Sequence, residues 1–132
     1  MPAATIHPGS ARAGLGARPP LLHPAAKPKV PYVTQMLASG KGPVVTTSDW
    51  VQELPRLIQG FVPRRFVPLG TNGFGRSDTR EALRRHFEVD AASVVVATLY
   101  GLMQDGTVEA KVVAEAIKGF GIDPAKTDPM LT

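Results

Sequence analysis

A chain of 132 residues is at most one domain, and the absence of cysteine excludes disulfides and thiolate metal sites. No apolar run approaches the ~18–20 residues that a membrane-spanning helix needs. Prolines and glycines interrupt the first residues, where a secretory signal would be apolar. We therefore expect no membrane partner.

The positive charge of the chain is concentrated near its beginning. The formal net charge is +4, yet five basic residues and no acidic ones precede Asp49. Ten basic and eleven acidic residues remain from Asp49 onward, which gives that part a net charge of −1. Phosphate backbones are bound by cations clustered on one folded face. Five cations spread over the first 41 residues form no such face, so we expect no nucleic-acid partner.

The first thirty residues are predicted to be an irregular, disordered tail. Six of the thirteen prolines fall within the first 28 positions, and the pair Pro19-Pro20 forbids a helix there. Regular patterning begins at Pro31, which suits the first turn of a short helix ending by Ser39. The chain thus divides into a tail, residues 1–30, and a structured domain, residues 31–132.

Two strands and two helices are predicted over residues 31–69. The β-branched segment Pro43–Thr47 and the segment Arg65–Leu69 read as short strands. Ser48 is placed to cap a helix between them that runs from Trp50 to Gly60. Pro55 inside this helix is expected to kink or break it.

Three further helices are predicted after a glycine-rich loop. Ser77 or Asp78 would cap the first of them, which ends near Phe87, and Asp90 would cap the second. The second helix has little polar face, so we expect it to be mostly buried. The third closes at Gly121, and Pro124 and Pro129 are expected to end regular structure.

This order of elements indicates an α/β fold with a small, mostly parallel sheet flanked by helices. Only two clear strands are predicted, and two parallel strands cannot bury both faces of a sheet. Either strands are missed in the pattern, or the chain is the back half of a larger sheet.

The glycine loop Gly70–Ser77, GTNGFGRS, is the first candidate binding element. Its G-x-x-G-x-G spacing matches neither the dinucleotide fingerprint nor a phosphate loop. A phosphate at the start of the following helix, assisted by Arg76, is one interpretation. The other, which we favour because Asp78 would repel a phosphate, is a sharp connection that needs positive φ angles.

No catalytic constellation is visible among the histidines and serines. His7, His23 and His86 are too far apart for a zinc site, and His86 is expected to be structural or solvent-facing. The serines lack the Gly-x-Ser-x-Gly setting of an activated nucleophile. The arginines of the loop and the helix after it, interspersed with Asp78 and Glu81, form a mixed-charge surface that is either solvated or meets a charged partner.

Three stretches resemble the end of the homodimeric pyruvate dehydrogenases. They are LLHPAAKPKVPYVTQML at 21–37, LGTNGFGRSDTREALRRHFEVD at 69–90, and the closing segments VVVATL at 94–99, VVAEAI at 112–117 and IDP at 122–124. Residues 1–20 have no counterpart. Asn72 stands where the family loop usually carries Asp, a mild change because both residues accept left-handed conformations.

The resemblance implies the later part of the third domain of a transketolase-like enzyme. Such an enzyme decarboxylates pyruvate on thiamine diphosphate with Mg²⁺ and acetylates lipoyl groups, in cytoplasmic pyruvate metabolism downstream of glycolysis. The family's catalytic and cofactor-binding motifs lie upstream, so this chain would bind no cofactor, would be inactive alone, and would be a fragment from a truncated or frameshifted gene.

The resemblance implies that such a fragment has only a structural role at subunit contacts. The implied partners are the homodimer partner and, as an alternative role, the dihydrolipoyl acetyltransferase core. The candidate interface loop comprises Gly73, Phe74, Gly75, Arg76, Ser77, Asp78 and Arg80.

Overall fold

A computed structural model of the chain describes residues 24–25, 27 and 29–132. Most of the predicted tail lies outside these residues, as do His7 and His23. The domain boundary at residue 30 therefore stays a prediction.

Two short parallel strands form the sheet of the described part. Strand β1 spans Val44–Thr47 and β2 spans Phe66–Leu69, with Val44 beside Phe66 and Thr47 beside Leu69. Both consist largely of β-branched and aromatic residues, which favour extended backbone. The α/β class, the parallel sheet and its shortage of strands are confirmed.

The segments before and between the strands are short helices. Helix α1 spans Tyr32–Leu37, α2 spans Glu53–Arg56, and a 3₁₀ helix covers Gln59–Phe61. The prediction that Ser48 caps a helix beginning at Trp50 was wrong, whereas the segment is divided after Arg56, as expected for a helix that contains Pro55. The Ser48 hydroxyl instead accepts a hydrogen bond from the amide of Trp50 at 2.8 Å, a local turn that competes with helix formation.

Helix α3 spans Arg80–His86, and its N-cap is Thr79 rather than Ser77 or Asp78. The Thr79 hydroxyl accepts the amide proton of Ala82 at 3.3 Å. Asp78 accepts the amide proton of Thr79 at 2.7 Å. Thr79 precedes the first helical residue, so this hydrogen bond does not cap the helix. Sequence alone placed the cap one or two residues too soon, because three consecutive residues all favour that position.

Helix α4, Ala91–Gln104, packs against both strands and against helix α5, Ala110–Gly119. Its predicted cap is confirmed, since Asp90 accepts the amide proton of Ser93 at 2.9 Å. The prediction that it is mostly buried was wrong: Gly101 is its one buried residue, and Val95 and Tyr100 are exposed. Two strands and one neighbouring helix are too little to cover an apolar helix on every side.

Helices α3, α4 and α5 each end with a left-handed residue, namely Glu88, Gly106 and Gly121. At the end of α5, the amides of Gly121 and Ile122 donate back to the carbonyls of Lys118 and Ile117. This pairing satisfies carbonyls that the helix leaves free, and it confirms the predicted stop at Gly121. Pro129 does not end regular structure as predicted; it begins a 3₁₀ helix, Pro129–Leu131, and is itself buried.

The core of the described residues is small. Besides Pro68 and Pro129, its buried apolar side chains are Val89 and Val113, and none is fully enclosed. Thirteen large apolar side chains stand exposed, several of them around the carboxyl ends of the strands. Among the described residues, no helix combines the length and the apolar character that crossing a bilayer requires.

Candidate functional site

An open cleft of about 450 Å³ lies beyond the carboxyl ends of the two strands. Asp49 enters it two residues after β1, and Thr71 two residues after β2. Ligand sites of parallel α/β sheets lie at this end, because the loops after neighbouring strands converge there. The other lining residues include Gly73, Gly75, Arg76, Asp78, Arg80 and Leu83.

Three hydrogen bonds join the loops that follow the strands, and we call these two loops, 49–52 and 70–72, the loop clamp. The amide and hydroxyl of Thr71 donate to the carbonyls of Trp50 at 2.9 Å and of Asp49 at 2.8 Å. The amide of Gln52 donates to Oδ1 of Asn72 at 3.0 Å. An aspartate at position 72 would offer the same acceptor, so the departure from the family pattern keeps this contact.

The glycine loop makes a sharp turn at Gly73. Gly73 has φ +96°, which favours glycine, and a Cβ there would collide with the carbonyl of Pro129. The Asp78 carboxylate already accepts a hydrogen bond at the start of α3. The favoured interpretation of a sharp connection is therefore confirmed at Gly73.

Candidate residues of the loop fall into two groups in space. Five of them line the cleft: Gly73, Gly75, Arg76, Asp78 and Arg80. Phe74 and Ser77 do not; the Phe74 ring is 82% exposed. Trp50 and Leu131, 71% and 79% exposed, lie on segments that contact the same loop. Exposed aromatic and apolar side chains beside a charged cleft are typical of an interaction surface.

Charges in the cleft are of both signs. Arg84 lies 3.9 Å from the carboxylate of Asp49, a long and exposed contact worth little in stability. Arg76 and Arg80 form no salt bridge within the part of the chain that the structure describes.

Sequence reasoning missed a cluster of charged contacts behind the cleft. Lys126 donates to the carbonyls of Arg85 and His86 at the end of α3 and lies 3.2 Å from Glu88. Arg85 donates to the carbonyl of Phe120 at 3.0 Å and pairs with Asp90 at 3.0 Å. Cations at helix carboxyl ends are favourable, so this cluster fixes α3 against α4 and α5. No local pattern reveals contacts that span 35 to 41 residues.

The serines and the histidine of the described part form no catalytic pair. The Ser93 hydroxyl donates to Asp90 at 2.6 Å, and the Ser48 hydroxyl is held by its own turn. His86 packs edge-on against Phe87, with ring centroids 4.8 Å apart, and its Nε2 is buried without a hydrogen-bond partner. This placement bears out a structural role for His86.

Burial lowers the pKa of His86 below its usual 6.5, and the nearby charges of Arg76 and Lys126 lower it further, against a smaller opposing effect of Glu88. The folded state therefore favours the neutral ring. Its contribution to stability is complete above pH 6.5 and is lost as the pH falls through the lowered pKa.

An NMR titration of the His86 ring is expected to give a midpoint below 6.5. Replacing Lys126 with Met removes one of the cations and should raise that midpoint. A midpoint at or above 6.5 in the wild type would contradict the described environment.

The family model for the transketolase-like TK C-terminal domain matches residues 20–90, just over half of the chain. This match covers the loop clamp, the glycine loop and α3. The chain belongs to this family. Helices α4 and α5 continue beyond the matched range of the transketolase-like C-terminal domain.

Bacterial proteins named pyruvate dehydrogenase E1 component are similar to most of the chain. One from Cupriavidus necator is 49% identical over 110 residues, 83% of this chain and 12% of the relative. One from Mycolicibacterium smegmatis is 50% identical over 103 residues, 78% of this chain and 11% of the relative. A third, from Escherichia coli strain K12, is 46% identical over 112 residues, 84% of this chain and 12% of the relative.

This transketolase-like C-terminal domain thus spans about 12% of the length of these relatives, and the similarity lies in their C-terminal region. The resemblance first drawn from the loop and the closing segments is confirmed.

Proposed function

We propose that the chain is the closing portion of a pyruvate dehydrogenase that decarboxylates pyruvate on thiamine diphosphate and transfers the acetyl group to lipoyl groups. The observation that carries the proposal is 49% identity over 83% of the chain to a protein of that name. Within such an enzyme the chain supplies a surface for subunit contact rather than reacting groups.

The described residues do not fit the cofactor of the parent reaction. No three His, Asp or Glu side chains among them gather at one point, as ligands of Mg²⁺ would. The amide of Thr79, the N-cap of α3, already donates to the carboxylate of Asp78, whose negative charge would repel a diphosphate. We therefore assign the cofactor to other parts of the parent and derive no chemical step through it.

The contact surface that we propose is the candidate interface loop, in which the ring of Phe74 is exposed. Turn geometry at Gly73 and the packing of Pro129 beneath it hold the loop in one shape. Phe74 offers apolar area, while Arg76 and Arg80 offer charges without a described partner. An aromatic anchor flanked by arginines is the composition enriched at protein interfaces. The occupant is the homodimer partner of the parent enzyme.

A second candidate role is docking on the dihydrolipoyl acetyltransferase core. The exposed guanidinium groups of Arg76 and Arg80 favour it, because an acidic patch on another protein would pair with them. The two roles differ in the protein that the same surface captures.

Surface-immobilised chain is expected to bind an intact E1 component, such as the Escherichia coli relative, more tightly than it binds the acetyltransferase core. The double substitution Arg76→Glu and Arg80→Glu should weaken this binding at least about tenfold, because two favourable charge contacts become repulsive. Surface plasmon resonance gives both affinities.

Arg56→Glu is the matched control, since Arg56 is exposed on α2 and its side chain donates hydrogen bonds to its neighbours Gln52 and Gln59. Binding of the core alone would select the second role. Absence of binding to either protein, or equal loss in the control, would end the interface assignment. Release of carbon dioxide from pyruvate by the purified chain with thiamine diphosphate and Mg²⁺ would overturn the proposal that it carries no reacting groups.

A further inference from the structure

The segment that follows α5 contacts both ends of the unit formed by the glycine loop and α3. Lys126 donates to two backbone carbonyls where α3 ends. Three residues later, Pro129 is buried, and its carbonyl lies directly against Gly73 in the loop that precedes α3. A backbone of three residues reaches at most about 11 Å, so these two contacts cannot move far apart. We call residues 126–129 the support segment.

Lys126 fixes one end of the support segment. An ammonium group has three donors, and three acceptors surround it here: the carbonyl of Arg85 at 3.2 Å, the carbonyl of His86, and the carboxylate of Glu88 at 3.2 Å. The last carbonyls of a helix lack partners within it and favour a nearby cation. The lysine side chain is only 28% exposed. Replacing this side chain would therefore release that end of the segment.

The other end of the support segment is fixed by a short turn. The carboxylate of Asp128 accepts the amide proton of Met130 at 2.9 Å and so caps the 3₁₀ helix that begins at Pro129. The ring of Pro129 also restricts its own φ angle. Gly73 meets the carbonyl of Pro129 with no side chain between them, since a Cβ on Gly73 would overlap that oxygen. The position of the loop backbone at Gly73 therefore follows that of Pro129.

We propose that Lys126 is a positioning residue of the contact surface: through the support segment it holds the candidate interface loop in the shape that a partner binds. This inference rests on the proposed function of that loop. Phe74 and Arg76 follow Gly73 by one and three residues, so a shift at Gly73 moves both of them. Lys126 is not one of the described residues that line the cleft. A loss of binding on its replacement thus reports the position of the loop rather than a lost contact.

Lys126→Met is expected to weaken binding of the immobilised chain to the intact Escherichia coli E1 component at least about threefold, a common size for substitutions that touch neither binding surface. Lys126→Arg keeps the charge and several donors, so its affinity should stay within about twofold of the wild type. Lys118→Met is the matched control, because Lys118 is exposed on α5 and its side chain forms no salt bridge within the described residues. Surface plasmon resonance compares the four proteins.

NMR order parameters give a readout of the loop that needs no partner. Rigid backbone amides have values of about 0.85, and flexible ones fall below about 0.6. In Lys126→Met the amides of Gly73, Phe74 and Gly75 should move toward the flexible range, while the amides of α4 keep their wild-type values. Lys118→Met should leave both groups of amides unchanged.

The possible results separate the role of Lys126 from the proposed function. Absence of wild-type binding, with the loop loosened in Lys126→Met, would end the interface assignment and leave Lys126 as a support of the loop alone. Wild-type binding that is retained in Lys126→Met as fully as in Lys118→Met would overturn the positioning role. So would flexible amides throughout α4 of Lys126→Met, because the lysine would then stabilise the whole fold.

Discussion

Replacing Gly70 with alanine is expected to lower the free energy of unfolding by about 2–3 kcal/mol, the cost of forcing an extra methyl group into a packed site. A Cβ at this position would lie 2.5 Å from the carbonyl oxygen of Trp50 and 2.7 Å from the amide nitrogen of Gln52. Both are backbone atoms of the loop clamp, so no side-chain rotation relieves the overlap. The strand ends would have to separate.

Gly75→Ala is the matched control. It lies in the same loop, but no atom comes within 4 Å of a Cβ there and its φ is not positive. We expect a change of less than about 0.5 kcal/mol, the range of surface substitutions. Urea unfolding followed by circular dichroism measures both variants. Equal stabilities of the two variants would contradict the close approach of the clamp loops.

The Gly70→Ala substitution also connects the stability of the chain to the proposed interface. Thr71 and Asn72 hold the clamp through three hydrogen bonds, and the glycine loop leaves directly from it. Separation of the clamp would therefore shift the ring of Phe74 and weaken partner binding, even though Gly70 lies outside the proposed interface. Gly75→Ala changes the loop without disturbing the clamp.

Local chemistry was sufficient to predict the strands and several helix ends. Short runs rich in strand-favouring residues predicted β1 and β2 to within one residue, and Asp90 was correctly assigned as a cap because its side chain acts on an amide three residues away. Gly121 was identified as the end of a helix because glycine readily adopts the left-handed conformation that ends helices. Each of these features is decided within one turn of backbone.

Features decided by distant residues could not be predicted in this way. Ser48 has the composition of a cap, yet it forms a turn because loop 49–52 is held by Thr71 and Asn72 from the far side of the crossover. The exposure of Val95 and Tyr100 reflects the small number of elements available to cover α4. Apolar periodicity describes what a helix could bury and not what is present to bury it.

The candidate site likewise combines features that were predicted from the sequence with features decided by distant residues. The resemblance to the pyruvate dehydrogenases pointed to the candidate interface loop, and the structure places five of its residues beside a cleft at the strand ends. The residues that hold this loop and α3 in place could not be predicted. Pro129, which packs beneath Gly73, is more than fifty residues away in sequence, and Lys126, which donates to the end of α3, is about forty residues away. Such contacts leave no local signal because each residue is ordinary in its own segment.

Asp90→Ala is expected to destabilise the chain by about 2 kcal/mol, the upper range for loss of a helix cap. Asp90 accepts hydrogen bonds from the amide and hydroxyl of Ser93 at 2.9 and 2.6 Å and pairs with Arg85 at 3.0 Å. It therefore begins the helix that covers both strands and also anchors the end of α3. Asp90→Asn keeps an acceptor at the cap and should cost less than about 1 kcal/mol.

The acid dependence of stability separates the charge of Asp90 from its capping role. Burial alone would raise the pKa of Asp90, but hydrogen bonds from Ser93 and the charges of Arg85 and Lys126 outweigh it, so the pKa lies below the usual 3.8. A carboxyl with a lowered pKa contributes stability that is complete above pH 3.8 and is lost as the pH falls through the folded value. Unfolding free energies measured across this window should therefore fall more steeply for the wild type than for Asp90→Asn. Parallel curves would mean that the carboxylate charge contributes nothing, and that α4 is held by hydrogen bonding at its cap alone.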